Sequence, residues 1–384
     1  MSRIALLCHS TNPRGGVVHA LELGEALGRL GHAVTIHAPD AGGHGFFRAS
    51  TCATQAVPAG VLQDGADTLT LVETRIADYL RHFAEPSRRR FDVFHAQDGI
   101  SGNALATLKE RGLIDGFIRT VHHIDNFADP RLAALQERSI LAADAHCVVS
   151  PLWRDALAAR YGLSAGLVGN GVDRARFSPQ PQPDDLRLRR DLGVRSGPVF
   201  LSVGGVEALK NSLRLLQAFA DVRKRVPEAQ LVVAGGSSLL DHSAIQKDFG
   251  AALAASGLSP WAVIRTGPVA DRDMPGLYRT ADALVFPSLR EGFGLVVLEA
   301  MASGLPVVTS AIEPFTSYLG AADALWCDPE RVDSIADAML QSCRPDTRGR
   351  LRQRGFAVAA RHDWDRVARA HLDLYATLGA PAYA

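Results

Sequence analysis

A short apolar run, a glycine-bearing turn, an amphipathic helical stretch and a second apolar run follow one another near residue 3 and again near residue 198. That order constrains the fold more than any other feature of the chain. Strands joined through a helix lie parallel, so each half predicts an α/β layer on a parallel sheet. In the first half, Arg3–Ser10 reads as a buried strand and Asn12-Pro13-Arg14-Gly15-Gly16 as a turn. Val17–Leu30 reads as a helix with apolar residues at 20, 23, 27 and 30 on one face; Gly31 ends it and Ala33–Ala38 is the next strand. Asp92–His95, Phe117–His122 and Ala145–Ser150 extend the same sheet. In the second half, Val199–Val203 is a strand, Gly204-Gly205 a turn, Asn211–Arg225 a helix and Gln230–Ala234 a strand that ends in Gly235-Gly236.

Between the halves, Ser178–Asp185 carries three prolines in alternation, which suits a linker. The expected division is a domain over 1–177 and another over 178–363, in keeping with a length of 384 residues. Lys+Arg and Asp+Glu number 41 each, which argues against a nucleic-acid partner held by a broad basic surface. Five scattered cysteines without a CxxC pair argue against a disulfide framework or zinc knuckle and for a reducing cytoplasm. The N-terminal apolar run is too short for a secretory signal, and the long apolar window Gly294–Ile312 is broken by Glu299 and by Gly304-Leu305-Pro306. Ten of the thirteen histidines precede residue 150, but no HExxH-like spacing occurs, so no metal site is expected.

In parallel sheets, ligands bind beyond the carboxyl ends of the strands. Gly15-Gly16 opens such a turn, where the backbone can approach an anion; Arg14 stands beside it. The most informative stretch is Ala281–Ser310. Ala283–Pro287 is a strand, Ser288–Gly292 a loop, Gly294–Ser303 a helix and Leu305–Thr309 a strand. Glu291 therefore sits at a strand's carboxyl end and Glu299 on the helix. Eight residues turn a helix through ~800°, so the two carboxylates suit separate contacts to one extended polar ligand. The amides of Phe293, Gly294 and Leu295 crowd the helix start, a site suited to a diphosphate. Glu299 lies in an apolar stretch, where a carboxylate needs a partner.

Glu291-Gly-Phe-Gly-Leu-Val-Val-Leu-Glu299 matches the E-x7-E motif of retaining GT-B glycosyltransferases, and nearly the whole chain resembles glycosyltransferase family 4. The likeness takes in Gly15-Gly16, His95-Ala-Gln-Asp98, Thr120-Val-His122, Asn170-Gly-Val-Asp173 with Phe177, Lys210-Asn211, and Leu277-Tyr278 with Ala281-Asp282. It implies two Rossmann-like domains facing a cleft, a nucleotide-sugar donor (UDP- or GDP-sugar) on the C-terminal one, and the acceptor on the N-terminal one. The acceptor would be a small molecule, a glycan or a lipid. The last segment, 364–384, would cross back to the N-terminal domain. By position, Glu299 would bind the ribose hydroxyls, and Glu291 with the Gly292–Leu295 backbone the donor sugar and phosphate. Lys210, beside the Gly204 turn, would neutralise the leaving diphosphate. Gly15 and Gly16 would approach the phosphates, His122 would meet the transferred sugar, and Val269 in Gly267-Pro268-Val269 would border the base. Acceptor contacts would come from loops 40–66 and 123–130. The resemblance implies retention by front-face attack, with no metal and no resident cofactor; the nucleotide sugar is a co-substrate.

One departure stands out. The family usually has an arginine after the first glycine of the Gly204 turn; here Gly205 follows, then Val206-Glu207. Arg14 and Arg290 are the candidate substitutes. The alternatives to a transferase are a catalytically silent nucleotide-sugar binding protein and a GT-B sugar-nucleotide epimerase. Two DxD triplets, Asp271-Arg-Asp273 and Asp363-Trp-Asp365, read as helix N-caps. Arg88-Arg89-Arg90 reads as a solvated turn, with a peripheral lipid-headgroup contact as its alternative.

Overall fold

A computed structural model describes residues 1–63, 65–236 and 242–379. Asp64 and the last five residues of the expected returning segment lie outside that range. The chain forms two compact units, Met1–Asn170 with Trp364–Ala384, and Gly171–Asp363.

The first unit contains β1 (Arg3–Leu7), β2 (Ala33–Asp40), β3 (Ala53–Pro58), β4 (Val93–Ala96), β5 (Ile118–Val121), β6 (Ala145–Val148) and β7 (Gly166–Leu167). They form one parallel sheet in the order β3-β2-β1-β4-β5-β6-β7. The second unit contains β8 (Val199–Val203), β9 (Gln230–Ala234), β10 (Val263–Gly267), β11 (Ala283–Phe286), β12 (Val307–Ser310) and β13 (Leu325–Cys327). These too are parallel, in the order β10-β9-β8-β11-β12-β13. Each unit is therefore Rossmann-like, and the GT-B expectation of two such sheets holds. The central strands are buried on both faces, which is why they read as unbroken apolar runs. One core packs Tyr79, Phe83, Phe94 and Leu105 in the first unit; another packs Phe200, Phe219, Leu231 and Phe249 in the second.

Residues 171–177, read as the end of the first domain, pack with the second unit. The Val172 amide donates to the His362 carbonyl at 3.0 Å. Arg176 pairs with Asp271 at 2.7 Å, and Phe177 packs edge-on against Tyr278 with ring centroids 5.7 Å apart. The expected linker also ends early, because a helix spans Pro183–Asp191. Proline suits the first helical position, where its missing donor costs nothing, and the Asp185 carboxylate accepts from the Gln182 amide at 2.8 Å.

The helix Trp364–Gly379 belongs to the first unit. Trp364 meets His19 edge-on at 5.3 Å, and Asp365 pairs with Arg29 at 2.6 Å. Arg88 is tied to Glu85 at 3.0 Å, and Arg89 donates to the Phe83 and Ala84 carbonyls, so two members of the basic run hold their own turn together.

Candidate active site

Strand order reverses direction between β8 and β11, which makes their carboxyl ends the switch point of the second sheet. The turn after β8 carries Lys210 and the loop after β11 carries Glu291. Lys210 Nζ donates to Glu291 Oε1, and the Ser288 hydroxyl donates to the same oxygen at 3.0 Å. The ammonium also lies 4.7 Å from the centroid of the Phe286 ring. Local chemistry knits the two loops. Asn211 takes a left-handed conformation (φ 60°), and its side-chain amide donates to the Pro287 and Pro329 carbonyls at 3.1 and 2.6 Å. The Leu289 amide donates to the Leu209 carbonyl at 2.9 Å. Lys210 is thereby held facing the end of β11.

The same loop leads into the helix Leu295–Ala302, whose N-cap Gly294 has φ 89°. A Cβ there would lie 2.7 Å from the Phe315 ring, so only glycine fits the turn. Phe293 stacks on Tyr318 at 4.6 Å, and the Tyr318 hydroxyl donates to the Phe293 carbonyl at 3.2 Å. The helix start that bears the Gly292–Leu295 backbone is thus braced by rings. The first amides of a helix lack partners within it and attract anions.

Further along that helix, Glu299 Oε2 accepts from the Tyr278 hydroxyl at 2.6 Å. Burial pushes the Glu299 carboxyl above its ordinary range; the Tyr278 donation and the Arg176 charge act against that push. Arg176 donates to the Asp271 carbonyl at 2.8 Å, pairs with its carboxylate at 2.7 Å, and covers the Phe177 ring at 4.8 Å. Asp271 is therefore an ion-pair partner and not the helix cap expected of it. Asp273 is the N-cap of Met274–Thr280, but without a side-chain capping bond. Sequence reasoning missed the Tyr278 hydroxyl and the Arg176 charge that favour the ionised Glu299, and the pairing of Arg176 with Asp271. The usable signal was Tyr278 next to Leu277, and Arg176 next to Phe177, inside motifs already singled out. Val269 follows β10 two residues beyond Gly267, whose carbonyl accepts from the Gly235 amide at 2.9 Å.

In the first unit, the helix Gly15–Arg29 starts two residues earlier than expected, so Gly15 and Gly16 form its first turn and Arg14 is its N-cap. A Cβ at Gly15 would meet open space, and one at Gly16 only the edge of the His122 ring at 3.7 Å. The fold itself does not demand glycine at either position. His122 follows β5; its Nε2 lies 3.1 Å from Gln97 Oε1, and its ring meets that of His19 edge-on at 4.9 Å. Burial, with the neighbouring His19 and Arg119, holds its pKa well below the usual histidine value. His19 is likewise pushed down to about 4 by burial, so both rings are neutral near pH 7.

Residues 13–176 match the model for Glycosyltransferase Family 4, and residues 185–356 match the model for Glycosyl transferases group 1. A D-inositol 3-phosphate glycosyltransferase of Xylanimonas cellulosilytica is 30% identical over 97% of this chain and 96% of its own length. A GDP-mannose-dependent alpha-(1-6)-phosphatidylinositol monomannoside mannosyltransferase of Mycobacterium tuberculosis is 29% identical over 89% of each chain. This chain belongs to the GT-B glycosyltransferases of family 4. Solved structures agree on the fold. The sucrose-phosphate synthase of Thermosynechococcus elongatus superposes with a TM-score of 0.81 at 23% identity, covering 98% of this chain and 99% of the other. Anabaena HepE, solved in complex with UDP-glucose, does so with 0.77 at 17% identity, covering 98% and 100%.

Within this glycosyltransferase, the departure at Gly205 is built into the backbone. Gly204 and Gly205 both donate to the Ala234 carbonyl, at 2.8 and 2.9 Å. Gly205 has φ 76°, and a Cβ there would lie 2.8 Å from the Gly236 carbonyl oxygen and 3.0 Å from that of Gly235. Two glycine turns are packed back to back, leaving no room for an arginine stem. Gly204 has φ 120°, and its missing Cβ would lie 2.9 Å from Lys210 Cε, so it makes space for the lysine side chain. Glu207 faces His242 at 3.5 Å, and its amide donates to the Ser212 hydroxyl at 3.1 Å. Arg290 is half-buried in the loop that leads to Glu291, while Arg14 belongs to the other unit.

Proposed function

We propose that the enzyme transfers a sugar, with retention of anomeric configuration and without a metal, from a UDP- or GDP-sugar to an acceptor hydroxyl. The observation that carries this reading is the meeting of Lys210, Glu291 and a ring-braced helix start at the switch point of the second sheet. Lys210 spends its charge on Glu291 in the structure described. When a diphosphate arrives, the ammonium turns to it, and Glu291 is released to accept hydroxyls of the donor sugar. Lys210 and the Phe293–Leu295 amides then stabilise the departing diphosphate, a kind of electrostatic help worth about 2.7–4 kcal/mol per donor group. Glu299, oriented by Tyr278, keeps one carboxylate oxygen for the ribose hydroxyls, and Val269 borders the base. The bond from the anomeric carbon to the phosphate oxygen breaks, and the bond to the acceptor oxygen forms on the same face. The acceptor's proton passes to the departing phosphate oxygen. Arg14, Gly15, Gly16 and His122 take the phosphate and sugar contacts that the family resemblance gives them. Relatives named for inositol phosphate and phosphatidylinositol glycosides support a polyol-bearing acceptor, small or lipid-linked. Five free cysteines fit the reducing cytoplasm.

The test is a thermal-shift screen of UDP- and GDP-sugars, followed by scoring of nucleoside diphosphate release and of the anomeric proton in the product by NMR. A specific donor raises the melting temperature by mass action. Release with a retained anomer supports the reading. Binding without release, across donors and acceptors, supports a silent binding protein, and inversion of the anomer contradicts the mechanism.

A further inference from the structure

We infer that the first unit contains a buried zinc-binding site formed by His95 of β4, Cys147 of β6 and His371 of the returning helix Trp364–Gly379. Each of the three offers one ligand atom, all three are buried, and these atoms lie within 4.8 Å of one another. They come from parts of the chain far apart in sequence, which is why no ligand spacing announces them. A thiolate with two imidazoles is a donor set that suits zinc.

A second, independent observation points to a ligand. The His371 Nδ1–H donates to the Val367 carbonyl at 2.8 Å, which fixes the tautomer and leaves Nε2 as the ring's acceptor nitrogen. That Nε2 is buried and has no hydrogen-bond partner among the described residues. Metal-bound histidines are held in this way, with the far nitrogen bonded to a carbonyl and the near one bare. His19 repeats the arrangement next door. Its Nδ1 lies 2.6 Å from Asn170 Oδ1, its Nε2 is buried without a partner among the described residues, and its ring centroid is 5.7 Å from that of His371. A buried acceptor left bare is destabilising, so the fold carries a debt here that a ligand would cancel.

His95 Nδ1 lies 2.8 Å from the Tyr375 hydroxyl, and its Nε2 lies 2.6 Å from that of Thr120 and 3.4 Å from Gln97 Nε2; Thr120 also bonds the Cys147 thiol, so these side chains must swing away to free the sulfur and one His95 nitrogen. The ligand atoms must also close to about 3.3–3.6 Å, the separation that tetrahedral Zn–N and Zn–S bonds require. On binding, the Cys147 S–H bond breaks, its proton leaves to solvent, and a Zn–S bond forms; nothing is oxidised or reduced. The site ties β4 and β6 to the C-terminal helix, and no step of the sugar transfer passes through it.

The test uses the full chain, stripped with a chelator and reloaded with Zn(II) alone or Co(II) alone. We expect about one equivalent of zinc to survive gel filtration and a thiolate-to-cobalt charge-transfer band to appear. Zinc should raise the melting temperature of the wild type, and Cys147→Ser should lose the metal, the band and the shift. Cys343→Ser, a free cysteine of the other unit, should keep all three. Less than about a tenth of an equivalent of zinc in the wild type, or a cobalt spectrum without the thiolate band, overturns the inference. Equal zinc in Cys147→Ser also overturns it. If Cys147→Ser does not fold, the wild-type cobalt spectrum decides. None of these readouts depends on sugar transfer.

Discussion

The two sheets share a topology but differ in what stands at their carboxyl ends. The second presents charged groups: Lys210 paired with Glu291, Arg176 paired with Asp271, and Glu299 accepting from the neutral Tyr278 hydroxyl. The first presents neutral rings: His122 against Gln97, His19 against Asn170, and His95 between Tyr375 and Thr120. Their glycine turns differ in the same sense. Gly205 is locked by the backbone behind it, whereas Gly15 faces open space. One Rossmann-like scaffold thus carries two chemically different sets of side chains. On the proposed reading the paired charges are re-partnered by a diphosphate, while the neutral His122 ring offers a hydrogen bond without adding charge.

The largest expected effect would break this contrast if it failed. Lys210→Ala should lower turnover of the donor by about 10²–10³-fold. His122→Ala should cost about tenfold, since it removes one hydrogen-bonding group and no charge. Equal losses in steady-state kinetics would mean that the charged end is not special.

The glycines give the next effect. Gly205→Arg, which restores the residue usual in the family, should destabilise the second unit by about 1–3 kcal/mol, because it forces a left-handed backbone and a clash with Gly236. Gly16→Ala, at a helix start with room for a methyl group, should change stability by less than about 1 kcal/mol. Chemical denaturation of both variants checks this; equal costs would remove the structural reason for the missing arginine.

Tyr278→Phe should weaken nucleoside diphosphate binding about tenfold, the scale of one hydrogen bond to a charged group. The sign of its pH effect follows from the donation. The hydroxyl favours the ionised Glu299, so its loss lets burial raise the carboxyl's pKa further, and the acid fall-off in binding moves to higher pH. Calorimetric titration across pH reads both effects. A tenfold loss with an unmoved pH profile would make Tyr278 merely structural.

The smallest effect concerns acid stability. Burial holds His37 down to about 3 and His82 to about 4, against about 6.5 in an unfolded chain. Between those values the unfolded state binds more protons, so this stability is present above pH 6.5 and is lost as the pH falls toward 4. Melting curves should show the first unit losing stability in that window, and His37→Gln should flatten the loss.

Much of this was legible in the sequence because buried parallel strands write themselves as apolar runs. β8 and β9 were read to the residue, and Glu291 and Glu299 were placed on their loop and helix. β3 was not, because an edge strand reading Ala-Thr-Gln-Ala-Val-Pro is exposed along most of its length and carries no apolar run. Contacts made through tertiary packing were also silent. Asp271 looked like a cap because its own neighbours suggested one; its partner Arg176 is distant in sequence. The grouping of His95, Cys147 and His371 was invisible for the same reason.

The central claim is that a nucleoside diphosphate seats its ribose on Glu299 and its phosphates at Lys210. The most direct measurement is the affinity of the diphosphate and of its 2′,3′-dideoxy analogue for wild type and Glu299→Ala. Wild type should discriminate by about 30-fold or more, and the variant by less than about threefold, a coupling of more than about 1 kcal/mol. Equal discrimination in the two proteins would show that the ribose hydroxyls lie elsewhere and would contradict the account.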